Sequence, residues 1–181
     1  MSHVPTASQT VGPFFSIGLS ALCRENIGGA GEKGERVTIR GQVLDGDGKP
    51  VPDAVLEVWQ ASEAGCENSS EGVPNGFARI ATNERGEFRF TTSKPEARRE
   101  ADGTIHAPHV VVLVLMRGLL RHLLTRVYFG GRAEISEDAV MRLVPAERRE
   151  TLIASPSPGV GDELRWDIHL QGEKETAFFE T

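Results

Sequence analysis

Val37-Thr38-Ile39-Arg40-Gly41-Gln42-Val43-Leu44 runs into Asp45-Gly46-Asp47-Gly48-Lys49-Pro50, and Ala54-Val55-Leu56-Glu57-Val58-Trp59-Gln60 follows shortly after. In the first stretch Val37, Ile39, Gly41 and Val43 alternate with Thr38, Arg40, Gln42 and Leu44. That period of two sends successive side chains to opposite faces of a sheet. Asp and Gly tolerate positive φ and Pro fixes its own, so 45–50 reads as a turn. The run 54–60 is then a second strand. Strand, tight turn and strand in so short a span make an all-β chain the first expectation.

The pattern extends on the C-terminal side. Phe77 to Thr82 and Glu87 to Thr92 flank Asn83-Glu84-Arg85-Gly86, which predicts an antiparallel hairpin with glycine at the left-handed position. Val110 to Met116 is apolar at every position and predicts a central strand covered on both faces. Leu119 to Phe129 also fits a helical stripe, but the β-branched and aromatic Thr125-Arg126-Val127-Tyr128-Phe129 favours a strand. Ser136-Glu137-Asp138 and Pro145 with Glu147 predict two short helices outside the sandwich. Leu164, Trp166, Ile168 and Leu170 alternate with polar residues as a last half-buried strand. The segment before Val37 is poor in periodicity, and Gly28, Gly29, Gly31 and Gly34 make it a flexible link. The expected organisation is one domain: an N-terminal arm over 1–36, and over 37–181 a β-sandwich of mainly antiparallel strands with one or two short helices.

Composition limits the function classes. A chain of 181 residues, 39% hydrophobic and 25% charged, is long enough to bury a real core, and Gly 20 with Pro 10 fits many turns. A net charge of -6 argues against nucleic acid as a partner. The start, MSHVPTASQTVGPFF, has neither a basic n-region nor a continuous apolar h-region, so a cytoplasmic chain is expected. The apolar run 110–116 is far too short to span a membrane. Cys23 and Cys66 are too few and too far apart for a disulfide framework or a zinc cluster. No serine nucleophile elbow, phosphate loop or His-Glu-x-x-His is present.

Particular words carry more. Ser8-Gln9-Thr10-Val11-Gly12-Pro13-Phe14-Phe15, Gly41 to Gly48, Val51-Pro52-Asp53, Leu56-Glu57-Val58-Trp59-Gln60-Ala61, Ala107-Pro108-His109, Thr125 to Phe129, Arg148-Arg149-Glu150-Thr151-Leu152-Ile153-Ala154 and Phe178-Phe179 occur in this order. Together they resemble the intradiol ring-cleaving dioxygenases, and the likeness spans nearly the whole chain. The resemblance implies a non-haem ferric ion held by two tyrosinates and two histidines. Phenolates are hard anionic donors suited to Fe(III), which takes both oxygens of a catecholate substrate.

Set against that pattern, this chain has lost ligands. Where the family's first tyrosine follows the Glu-Val-Trp-Gln-Ala strand, the sequence reads Gly65-Cys66-Glu67. The second tyrosine is missing after Lys94-Pro95, where Glu96-Ala97-Arg98-Arg99 stands, and the paired histidines become His109-Val110-Val111. Tyr128, the chain's one tyrosine, lies in a separate word. Glu67 and His109 make at most a two-ligand set, too few for a closed site. His109 therefore reads first as a structural histidine, and the chain is expected to bind no iron and to carry no catalytic residue. His3, His106, His122 and His169 show no ligand spacing.

Lost ligands on a retained fold resemble the alpha chains of the family's heteromeric, protocatechuate-cleaving branch. The resemblance implies a homologous beta chain holding the Fe(III), with O₂ and protocatechuate as co-substrates. It also implies that the alpha arm lines the pocket, through Thr10, Gly12, Pro13 and Phe14 here. Gly12-Pro13 allows close approach to a flat aromatic acid, or is an ordinary tight turn. Phe14 stands where tyrosine is common. Arg126 suits a substrate carboxylate, its guanidinium donating in a fork, or a salt bridge within or between subunits. Two other readings remain at this point: a β-sandwich binding or carrier module, and a dioxygenase with an altered metal site.

Overall fold

The structure is a computed structural model and describes residues 6–27, 35–60, 76–157 and 163–180. Its elements in chain order are α1 (Phe14–Leu19), β1 (Arg36–Leu44), β2 (Val55–Trp59), β3 (Phe77–Ala81), β4 (Glu87–Ser93), β5 (Arg98–Arg99), β6 (Ile105–His106), β7 (His109–Leu115), β8 (Leu123–Tyr128), α2 (Arg132–Ser136), β9 (Ser155–Pro156), β10 (Glu163–Arg165) and β11 (Ile168–His169). Short 3-10 turns cover Ser20–Leu22, Met141–Leu143 and Ala146–Leu152.

Two sheets make the fold. In one, β1 pairs antiparallel with β4 and parallel with β10 and β11, and β9 extends β10. The other runs β3-β2-β7-β8, all antiparallel. Between them lies a core that includes Ile39, Val43, Leu56, Val58, Phe90, Val110, Val112, Val114 and Val127. The alternation read in 37–44 is what delivers Val37, Ile39 and Val43 to that core. A second cluster, with Tyr128, Ile135, Met141, Val144 and Leu152, packs outside it. The all-β sandwich expectation holds.

Several local expectations are corrected. Phe77–Ala81 and Glu87–Ser93 are not partners: β3 pairs with β2 and β4 with β1, so 83–86 crosses between the sheets. The turn chemistry itself is as read, with Gly86 at φ +69° and its N–H donating to Asn83 O. Thr82 explains the crossing. Its buried hydroxyl bonds Val51 O and Ala54 N, tying the end of β3 to the corner between β1 and β2. The strand expected from Leu119 begins only at Leu123, after a turn with Gly118 at φ +94°. The central strand is β7, buried on one face and only half-buried on the other.

Ser136 ends α2 rather than opening a helix; Asp138, fully buried, caps the next turn by accepting from the N–H groups of Val140 and Met141. The last strand is split at Trp166 and Asp167. There Trp166 N–H donates to Arg40 O and Gln42 N–H to the Asp167 carboxylate, while the indole N–H reaches Thr151 O. Gly41 permits this approach, because a Cβ there would overlap the Trp166 carbonyl. Within the arm, Phe14–Leu19 forms a short helix that sequence periodicity did not suggest.

Candidate functional site

The expected arm is held at two places rather than lying free of the core: residues 23–27 run beside β3 and β4, where Arg24 N–H donates to Arg79 O, Thr91 N–H to Glu25 O and Ile27 N–H to Thr91 O, with Ile27 buried in the main core, and Thr10 is held at the β7–β8 turn. Gly118 N–H donates to Thr10 Oγ1 at 2.7 Å, and Gln9 and Val11 lie beside a small recess of Leu115, Met116, Leu119 and His122. Gly12 O accepts from Phe15 N–H, and Pro13 precedes the first turn of α1. Between these attachments α1 has no buried residue, and Phe14, Ile17 and Leu22 are 77%, 65% and 56% exposed. These four pocket candidates, Thr10, Gly12, Pro13 and Phe14, thus sit together on an exposed apolar projection.

The second group lies on the face of the β3-β2-β7-β8 sheet turned away from the main core. Directly opposed residues of an antiparallel pair share a face. The register therefore sets His109 beside Tyr128, Val111 beside Arg126 and Leu113 beside Leu124, with Trp59 and Glu57 continuing the rows on β2. Phe77 and Arg79 complete them on β3, where Arg79 pairs with Glu57 at 2.6 Å. Thr10 and Arg126 are not brought together: the arm docks at the β7–β8 turn, while Arg126 sits toward the other end of the pair, next to the His109 row.

Around Arg126 a polar cluster forms. The buried Tyr128 hydroxyl donates to Asp138 Oδ1 at 2.9 Å, and Asp138 Oδ2 accepts from Ala107 N–H. His109 Nδ1 lies 2.8 Å from Ala107 O, so it carries the proton in the neutral ring. The His106 and His109 rings are 6.1 Å apart, and His109 and Tyr128 are 5.5 Å apart. Among the described residues two buried side-chain nitrogens have no hydrogen-bond partner, Arg126 Nη1 and His106 Nδ1, the latter 3.9 Å from Asp138 Oδ2.

Charge follows from this packing. Burial holds the His109 imidazolium below its usual range, and the nearby Arg126 guanidinium pushes the same way against the Ala107 carbonyl. Burial, with the Asp138 carboxylate, raises the Tyr128 phenol well above its ordinary value, and Arg126 only partly opposes them. His109 is thus a neutral imidazole and Tyr128 a neutral hydroxyl, held next to a permanent cation.

This face does not fit a ferric ion. Val111, at the second histidine position, offers a half-buried alkyl group across from Arg126. Arg98, at the second tyrosine position, is exposed on β5 and paired with Glu100 at 3.3 Å. Glu67 lies outside the described residues. Tyr128 is committed to Asp138. Among the described residues no group of three or more His, Cys, Asp or Glu could hold a metal. Sequence reading did not find Asp138 or His106, because what joins them is a fold contact between distant residues and no spacing marks it.

Known proteins are similar along this whole length. A family model described as Dioxygenase matches residues 20–172. The chain is 42% identical to the protocatechuate 3,4-dioxygenase alpha chain of Burkholderia cepacia, covering 97% of this chain and 96% of that one. It is 30% identical to the beta chain from the same organism, over 79% and 67% of the two chains. Its backbone superposes on an intradiol ring-cleavage dioxygenase from Tetranychus urticae with a TM-score of 0.60 at 15% identity, covering 82% and 86%. With the β-sandwich, the family match and these relatives in agreement, the chain belongs to the intradiol ring-cleaving dioxygenases, a family that depends on ferric iron.

Proposed function

We propose that this chain is the non-iron-binding alpha subunit of a heteromeric protocatechuate 3,4-dioxygenase. A homologous beta chain would hold the Fe(III), and the complex would cleave protocatechuate with O₂ to 3-carboxy-cis,cis-muconate. The observation that carries this reading is the donor face. Among the described residues His109 has no companion ligand and Tyr128 is tied to Asp138, while the family fold is kept. The end-to-end likeness to an alpha chain supports it.

In this reading 1–36 is an arm and 37–181 a single sandwich domain. Thr10, Gly12, Pro13 and Phe14 line the partner's pocket, which is consistent with a projection that leaves Phe14 and Ile17 uncovered. Arg126 is proposed to receive a carboxylate from outside the chain, as its buried, unpartnered Nη1 supports. Cys23, a free thiol, suits a reducing cytoplasmic setting.

The test is expression with and without a beta-type chain bearing the tyrosine and histidine ligands. Alone, this chain should contain no stoichiometric iron and cleave no catechol. Together the two should co-purify, with iron in proportion to the partner. Iron near one per chain in the isolated protein, with a tyrosinate absorption band, would overturn the reading.

A further inference from the structure

We propose that Arg126 is the resident cation of the former metal face, so that its guanidinium keeps metal ions out even when a missing ligand is restored. This rests on the family reading of positions 109 and 111 as ligand positions. Both lie on one face of β7, and Arg126 is the residue opposite Val111 on β8. Opposed Cβ atoms of an antiparallel pair are about 4.5–5.5 Å apart. A metal held by imidazole nitrogens sits about 2 Å from them. An ion bound on this face would therefore lie within a few ångströms of a guanidinium, with the two charges repelling.

Arginine suits that role better than lysine or histidine. It does not lose its proton in a protein, so binding cannot relieve the repulsion by deprotonating it. The neighbours offset it only in part. Asp138 faces the site from the segment after α2, where its oxygens accept from Tyr128 and the N–H groups of Ala107, Val140 and Met141, and its charge acts on His109 less strongly than that of Arg126. On the β2–β3 side, Glu57 is paired with Arg79. His106, on β6, presents an imidazole nitrogen with no hydrogen-bond partner. Ligand loss at Val111 and a fixed charge at Arg126 are thus two independent barriers, and removing either alone should fail.

The test uses the full chain at concentrations where it is monomeric, titrated with Zn²⁺ by calorimetry and with Co²⁺ by visible absorption. The variants are Val111→His alone and combined with Arg126→Gln, Arg126→Met or Arg126→Lys, with circular dichroism to verify the fold. Val111→His/Arg126→Gln should bind Zn²⁺ at least tenfold more tightly than Val111→His alone. Arg126→Met, which keeps more of the apolar stem, should behave like Arg126→Gln and stands in for it if that variant is unstable. Arg126→Lys keeps the charge and should stay with the single variant. Equal affinity for the single variant and the Gln and Met doubles, or tight binding in the Lys double, would overturn the inference, as would binding by none of them. If instead binding in the Gln double survives a further His109→Ala change, the assignment of the ligand positions fails rather than the charge argument.

Discussion

Arg126 brings a permanent charge into a half-buried position and leaves Nη1 without a partner, an arrangement that favours an arriving anion. If that anion is the substrate carboxylate, Arg126→Ala in the assembled enzyme removes a charged hydrogen bond worth about 1.5–3 kcal/mol. The expected loss in kcat/KM for protocatechuate is then roughly ten- to a hundredfold. Catechol, which lacks the carboxylate, should lose much less. Equal losses for both, with a loosened particle, would leave Arg126 as a subunit-contact residue. His109 gives a second prediction. Its pKa in the fold is below the ordinary value of 6.5, so below that pH the unfolded chain takes up a proton that the folded chain resists. Folding stability should fall as pH drops from about 6.5 toward the lowered value and then level off, and His109→Gln should flatten this part of the profile in urea titrations. A stability that rises over that range would refute the assignment. The absence of tyrosine and of a second histidine at the positions the family resemblance implies is legible in single letters, because a missing phenol needs no fold to interpret. The Tyr128–Asp138 bond is not, since nothing local distinguishes a capping aspartate from one that also receives a buried hydroxyl.

Among elements, Gly41 shows how a strand's neighbours constrain it. A Cβ on Gly41 would meet the Trp166 carbonyl oxygen and carbon as well as the Phe88 ring. The first two are backbone atoms and cannot swing away. Gly41→Ala should therefore cost about 3 kcal/mol or more, at the upper end of overpacking penalties, because β10 and β11 must shift off β1. Equilibrium denaturation measures it, and a change below about 0.5 kcal/mol, typical of exposed sites, would mean the crossing is not this tight. The same geometry explains what periodicity could and could not reveal. Alternation in 37–44 and 87–92 marked strands, because burial on one face leaves its period in the sequence. Which strand pairs with which is absent from that signal. Asn83 and Gly86 close a tight turn equally well within one sheet or between two, and the choice was made by Thr82 bonding to the distant Val51 and Ala54. Likewise Leu119 to Phe129 reads as one strand because its second half is β-branched and aromatic, yet Gly118 and the docked Thr10 hold the first part in a turn.

At the scale of the whole molecule, α1 is the feature that the chain's own packing does not explain. An α1 of Phe14–Leu19 is shorter than an isolated helix can sustain in water, and it buries no side chain here. Phe14 and Ile17, both more than half exposed, contribute nothing to the core. Covering them by a partner would remove apolar surface from water, at roughly 25 cal/mol per Å². The prediction separates stability from assembly. Phe14→Asp with Ile17→Asp should leave the chain's own folding free energy within about 0.5 kcal/mol, as expected for largely exposed side chains. The same double variant should weaken association with the proposed beta-type partner by at least tenfold, since each change places a charge in an apolar contact. Sedimentation of mixed subunits measures the association, and urea denaturation of the isolated chain measures the fold. If the variant assembles as tightly as the original chain, the arm does not dock through α1. If instead the isolated chain unfolds more easily, these side chains are folded against their own sandwich in solution, and the projection drawn here is not the one the partner meets.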